Sequence, residues 1–156
     1  FVIQKAVELG VKEVIPFVSQ YTVVKLDSAA ASKRVQRWQR IAQEAAKQCL
    51  RAELPVVMPI VSFDRVLEEL KAKTQDELVL LPYEHEERLG IKSVPVQHCR
   101  GVSIVIGPEG GFHPDEVEAA RRLGAWVVSL GPRILRTETA GLVALSLVGY
   151  RWGDLG

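Results

Sequence analysis

The sequence predicts an α/β layer structure, a mostly parallel sheet with helices on both faces. Three observations carry that expectation. Five short runs rich in Val, Ile and Leu alternate with segments of helical period. Strands that alternate with helices pair in parallel and are covered on both sides. The chain has 156 residues, 47% hydrophobic and 25% charged, which suits one domain with a core of its own.

Each element has a local reason. Residues 1–9 read as a helix, and Gly10 suits the left-handed position that closes one. Val14-Ile15-Pro16-Phe17-Val18 reads as a short buried strand, followed by a loop through Ser19, Gln20, Tyr21 and Thr22. Residues 29–51 have helical period, with Val35, Trp38, Ala42, Ala45 and Cys49 at three- and four-residue steps facing the core. Val56-Val57-Met58-Pro59-Ile60 is a second strand, Ser62 is placed to cap a helix through Leu70, and Glu77-Leu78-Val79-Leu80-Leu81 is a third strand. Residues 82–100 are polar, with Glu84, His85, Glu86, Glu87 and Arg88 in a row, and are expected as a helical turn and loop on the surface. Val102-Ser103-Ile104-Val105-Ile106 is a fourth strand, and Pro114 opens a helix over 114–123, where its missing N–H has no partner to lose. Trp126-Val127-Val128-Ser129-Leu130 is a fifth strand, 131–137 a loop, and 138–151 a largely apolar final helix. There is no internal repeat and no low-complexity tract.

Composition excludes several classes. Lys and Arg total 20 against 19 Asp and Glu, a formal charge of +1, so affinity for nucleic acid has to come from the placement of charge. No apolar run approaches the roughly 18 residues of a membrane span, and the start lacks a signal pattern, so a cytoplasmic protein without membrane contact is expected. Cys49 and Cys99 are far apart and form no Cys-x-x-Cys pair, so both are expected reduced, with Cys49 in the core. His85, His98 and His113 have no ligand spacing, and no metal is expected. No Gly-x-Ser-x-Gly elbow is present. The chain opens at Phe1, without Met, inside a helical segment, which predicts a piece of a longer chain.

Ligands of open parallel sheets sit beyond the carboxyl ends of the strands, so the loop Gly107-Pro108-Glu109-Gly110-Gly111-Phe112 is the first candidate site. Its glycines let backbone approach a ligand; the same pattern also serves a tight turn with no ligand. It is neither the Gly-x-Gly-x-x-Gly of dinucleotide binders nor a P-loop, and Glu109 would repel phosphate. A ligand with a cationic or amphoteric part suits it better. A second loop, Leu130-Gly131-Pro132-Arg133-Ile134-Leu135-Arg136, runs into a helix with Thr137 as candidate N-cap and Glu138 in its first turn. The forked guanidinium of Arg133 or Arg136 suits phosphate or carbonyl oxygens. On the long helix Arg37, Arg40, Glu44, Lys47 and Arg51 recur at helical spacing beside Gln48, a stripe that either grips a phosphodiester backbone or is a solvated face.

Taken together, these motifs resemble the RsmE-type ribosomal RNA methyltransferases of the SPOUT superfamily, and the resemblance covers most of the chain. It is carried by Gln4-Lys5-Ala6-Val7-Glu8-Leu9-Gly10-Val11, by Arg37-Trp38 with Ile41, Glu44-Ala45-Ala46, Gln48, Arg51 and Pro55, by Ile106 to Phe112, and by Leu130 to Ala140. It implies that residues 1–156 are a SPOUT methyltransferase catalytic domain whose upstream PUA-like RNA-binding domain is absent from this chain. It implies a C-terminal trefoil knot, an exception to the rule against threaded chains, made by the strands at 102–106 and 126–130 and the final helix. The implied activity is S-adenosylmethionine-dependent methylation of N3 of one uridine in small-subunit (16S) ribosomal RNA, by a homodimer joined through the final helix.

By the same resemblance the cofactor lies between loops beginning at Leu81-Pro82, Ile106-Gly107 and Leu130-Gly131, with Pro108, Glu109, Gly110, Gly111 and Thr139 around it. Its adenine would lie against Leu81, Ile134, Leu135 and Ala140. The chemistry asks for positive charge at the uracil oxygens as N3 loses its proton. Arg136 is the candidate, with Glu138 positioning it or the base. Arg37, Arg40, Gln48, Arg51 and Arg133 are candidates for the RNA. The chain departs from the family at Ser19-Gln20-Tyr21-Thr22, where a Ser-Glu-Arg-Ser-like stretch is common, so Tyr21 stands in place of an arginine. A noncatalytic ribosome-binding or assembly module with this fold, or a SPOUT enzyme acting on transfer RNA, are the competing readings.

Overall fold

Strands and helices alternate as the periodicity predicts. The computed structural model describes residues 1–22, 27–73, 76–95 and 100–156, so His98 and Cys99 lie outside the described residues. In chain order the elements are α1 (Val2–Glu8), β1 (Glu13–Val14), β2 (Phe17–Val18), α2 (Ser28–Gln48), β3 (Val56–Val57), β4 (Val61–Ser62) and α3 (Phe63–Lys73). They continue with β5 (Glu77–Pro82), a 3-10 turn (Ile91–Ser93), β6 (Gly101–Ile104), α4 (Pro114–Arg122), β7 (Trp126–Val128) and α5 (Thr137–Trp152).

α1 ends at Leu9 and Gly10, whose φ of +89° is the expected left-handed closure. Asp27 caps α2, its Oδ1 accepting from Ala30 N at 2.7 Å. The apolar stripe of α2 buries Ala42, Ala45 and Ala46 with Val7 and Val57. Val35 and Trp38 pack half-buried at the edge of that cluster, as does Cys49 just past the helix. Ser62 caps α3 as expected, accepting from Arg65 N at 3.3 Å.

Two expected strands are split. β1 pairs in parallel with β3 and β2 with β4. The breaks fall at Pro16 on one side and Pro59 on the other, because proline has no N–H for a ladder. The remaining strands form a parallel sheet in the order β6-β5-β7. Side chains alternate along β5. Val79 and Leu81 face one core with Val66 and Leu70 of α3 and Val117 and Ala120 of α4. Leu78 and Leu80 face another with Ile91, Val94 and Val128, covered by Val148 and Trp152 of α5. Helices thus cover both faces.

The expectation for residues 82–100 needs correcting. The segment is not all surface loop, since Ile91 is 8% exposed and Val94 0%. Gly90 bridges Ser129 in parallel, Ile91 N donating to Ser129 O at 3.1 Å, so the run after Val128 pairs with this segment instead of prolonging β7. Leu89, Ile91 and Val94 are the apolar residues of a polar stretch, and their burial in the second core fixes it.

Arg151 near the end of α5 holds the same segment, donating from Nη1 to Ile91 O at 3.0 Å and from Nη2 to Val94 O at 2.6 Å. Its guanidinium also lies 4.8 Å from the Trp152 ring. Removing a charged donor from two carbonyls costs about 1.5–3 kcal/mol. Urea denaturation of Arg151→Ala should show a loss in that range. α5 is apolar around most of its circumference, yet Ala144 alone of its residues is fully buried. No helix among the described residues is long and apolar enough to cross a membrane.

Candidate functional site

Because β5, β6 and β7 are adjacent and parallel, their carboxyl ends open on one edge, the usual ligand crevice of such sheets. The loops that follow them are joined there. Tyr83 N donates to Val128 O at 3.0 Å and Ser129 N to Leu89 O at 2.8 Å, tying the loops after β5 and β7. Gly141 of α5 faces Ile106, where a Cβ would stand 3.8 Å from Ile106 Cγ1, so the loop after β6 abuts the last helix.

The loop after β6 is closed by Gly111 N donating to Pro108 O at 2.9 Å. Packing explains part of its glycine content. A Cβ on Gly107 would lie 3.1 Å from the buried Phe112 ring, and one on Gly110 3.1 Å from Tyr21 Cβ. Gly111 has φ +72°, and any side chain there would strike the Glu84 carboxylate. Packing leaves other groups unused. Among the described residues the amides of Gly107, Glu109 and Gly110 donate to no protein acceptor, nor do those of Arg133, Ile134, Leu135 and Arg136 in the loop after β7. Gly131 N is taken by Ser129 Oγ at 3.2 Å.

Apolar surface adjoins these amides. Pro82, Ile106, Pro108, Leu130, Leu135 and Ala140 are half-buried around the crevice loops, Thr139 is exposed, and Ile134 is 84% exposed. Leu81 is 0% exposed, so its side chain belongs to the core and its backbone alone is left for a ligand. Free amides, part-open apolar side chains and the exposed Glu109 carboxylate suit a nucleoside without phosphates that carries a cationic or amphoteric arm.

At the entrance to α5 the expected cap shifts by one residue. Arg136 is the N-cap, with φ −64° and ψ 153° and no side-chain cap bond, while Thr137 is already helical. The Arg136 side chain is exposed and has no acidic partner among the described residues. Glu138, in the first turn, lines a cavity of about 760 Å³ together with Arg34, Arg37 and Trp38. Sequence reasoning missed Arg34 and the exposure of Trp38 to this cavity. The signal was available, since Arg34 is one helical turn before Arg37.

The basic stripe of α2 divides. Arg37 and Arg40 are exposed and without ion pairs among the described residues, and Gln48 is exposed beside them. Lys47 is paired with Glu44 at 2.8 Å. Arg51 leaves the stripe, because its Nη1 donates to Val7 O at 3.1 Å and Val11 O at 2.6 Å and so fastens the end of α1 to the end of α2. Arg133 is exposed on the loop after β7.

Glu86 organises the loop after β5 and is more than a surface charge. Its Oε1 accepts from Arg88 N at 2.8 Å and Leu89 N at 3.1 Å, and Oε2 meets Arg121 Nη2 of α4 at 3.3 Å. Those backbone donors, with Arg121 adding to them against the cost of burial, hold its carboxyl below the ordinary 4.5. A lowered carboxyl contributes stability that is fully present above the unfolded value and is lost as pH falls through the folded one. Glu86→Ala should therefore cost about 2 kcal/mol near pH 7, the worth of a charged acceptor. Denaturation in a descending pH series should find that difference shrinking once the pH drops below the ordinary carboxylate value.

Comparison with known proteins gives a consistent result. A family model described as an RNA methyltransferase domain matches residues 1–149. The ribosomal RNA small subunit methyltransferase E of Bacillus subtilis is 41% identical over 162 aligned positions, covering 97% of this chain and 60% of its own length. A ribosomal RNA small subunit methyltransferase E from Neisseria gonorrhoeae, solved bound to S-adenosyl methionine, superposes with a TM-score of 0.86 at 34% identity, covering 99% of this chain and 62% of its own. A putative methyltransferase from Legionella pneumophila, solved with bound cofactor SAM, gives 0.87 at 37% identity, with 99% and 61% covered. The chain thus spans about three-fifths of the length of the relatives it matches.

Proposed function

The chain belongs to the RsmE-type ribosomal RNA methyltransferases of the SPOUT superfamily, and from that premise we propose that it is the catalytic domain of an S-adenosylmethionine-dependent enzyme that methylates N3 of a uridine in 16S ribosomal RNA. The observation that carries the proposal is the junction of three loops at one sheet edge, with unpaired amides and half-open apolar side chains where a nucleoside would lie.

The residues present fit that cofactor. The amides of Gly107, Glu109, Gly110, Ile134 and Leu135 would hold its polar edges, and Ile106, Leu130, Leu135 and Ala140 its adenine. Gly111, Gly131, Pro82, Pro108, Ile134 and Thr139 shape the walls, Leu81 through its backbone. When bound, the sulfonium supplies an electrophilic methyl group. The protein has to hold uridine in line and make N3 easier to deprotonate. The exposed, unpaired Arg136 would stabilise the negative charge spread over the uracil oxygens, with Glu138 orienting the base, while the N3 proton passes to solvent. Arg37, Arg40, Gln48 and Arg133 would contact the RNA, and Arg51 would act by setting α1 against α2.

Two structural readings belong with this one. α5 would be threaded under the segment after β5 as a trefoil knot, which is supported by the Gly90–Ser129 bridge and by the grip of Arg151 on Ile91 and Val94. The enzyme would be a homodimer through α5, where Tyr150 is 75% exposed. It would work in the cytoplasm, on ribosomal RNA or the assembled small subunit.

The test is labelling of small-subunit RNA from cells that lack the gene, with isotopic S-adenosylmethionine. The expected result is label on N3 of one uridine, whose blocked pairing edge stops reverse transcription. Label in transfer RNA, or none in any RNA, would overturn the proposal.

A further inference from the structure

Tyr21 is the exposed aromatic of the turn after β2, 43% open to solvent, yet it is firmly held. Ser19 N donates to Thr22 Oγ1 at 2.9 Å and Thr22 N to Ser19 O at 3.1 Å, which closes the turn. Gln20 N donates to Glu116 Oε1 at 3.0 Å, while Glu116 Oε2 accepts from His113 N at 2.9 Å in the capping box of α4. The turn is therefore fastened to the end of the loop after β6. Gly110 admits the approach, since a Cβ there would lie 3.1 Å from Tyr21 Cβ, and the His113 ring lies 5.7 Å from the Tyr21 ring at a 60° tilt.

A part-exposed aromatic ring carried on a turn anchored on both sides is suited to stacking of an unpaired nucleobase. Little ordering is lost when the base arrives, because the turn is already fixed. We propose that Tyr21 is a stacking platform for a nucleobase of single-stranded RNA beside the target uridine, and so a positioning residue for the substrate. This rests on the methyltransferase reading and adds the side from which RNA enters, over the loop after β6.

The test compares Tyr21→Ala, Tyr21→Phe and Tyr21→Trp in the full-length enzyme. Loss of one base–aromatic stack should raise KM for RNA about tenfold in Tyr21→Ala, with kcat and cofactor Kd within about twofold. Tyr21→Phe and Tyr21→Trp should restore KM, because the stack needs a ring and no hydroxyl. Fluorescence supplies a second measurement independent of turnover. A single-stranded RNA decamer should quench Tyr21→Trp more than the parent protein, and the same sequence as a duplex should not. The inference is overturned if Tyr21→Ala keeps its KM, if cofactor Kd rises in step with KM, if Tyr21→Phe is as impaired as Tyr21→Ala, or if no added quenching is seen. A parent enzyme that methylates no RNA while the decamer still quenches would sink the methyltransferase reading and leave the platform standing.

Discussion

Arg136→Ala should lower the rate of methyl transfer about 100- to 1,000-fold, the usual cost of removing one donor aimed at charge that develops in a transition state. The structure gives Arg136 no competing task. Its backbone caps α5, its side chain makes no cap bond, and no carboxylate pairs with it among the described residues. Truncation should thus leave folding intact, with the melting temperature within about 2 °C of the parent, since surface substitutions away from such features fall within about ±0.5 kcal/mol. Cofactor affinity by calorimetry should be unchanged, because the amide of residue 136 survives the substitution. Turnover close to the parent value would remove Arg136 from the mechanism.

Gly111→Val should have the second largest effect, through the backbone. At φ +72° an L-residue costs about 1–2 kcal/mol and a β-branched one more. The new side chain would also meet the Glu84 carboxylate, but that is the end of an exposed, flexible side chain that can swing aside, so the cost lies chiefly in the backbone. We expect S-adenosylmethionine affinity to fall about 5- to 30-fold, as about 1–2 kcal/mol of backbone strain converts by the tenfold-per-1.4 kcal/mol rule. Gly111→Ala should fall less, and adding Glu84→Ala to it should recover little, which would assign the loss to backbone strain. Parent-like affinity in all three variants would mean that this loop does not touch the cofactor.

Local features were readable from the sequence because their causes are local. Gly10 closes a helix where its spacing said it should, Ser62 caps α3, and alternation along β5 divides its side chains between two cores. The glycine loop after β6 was visible as a ligand candidate, but its packing reasons were not, because Phe112, Tyr21 and Glu84 approach it from three different segments. The same limit explains Arg51 and Arg151. Each has the look of a solvated cation in sequence, and each donates to backbone carbonyls about 40 to 60 residues away. Nothing within a helical turn announces such a contact. The segment around Leu89, Ile91 and Val94 looks like surface in sequence because its charged neighbours outnumber its apolar residues, and only the second core shows why those few are buried. The breaks at Pro16 and Pro59 are local in cause as well, since a missing N–H is a property of the residue itself.

Whether three loops at the carboxyl edge of β6-β5-β7 enclose a sulfonium nucleoside is decided by isothermal calorimetry of this chain with S-adenosylmethionine. We expect one site per chain with a Kd near the micromolar range, weakened by Gly111→Val and untouched by Arg136→Ala. A chain that is folded by circular dichroism and gives no binding heat at millimolar ligand would contradict it.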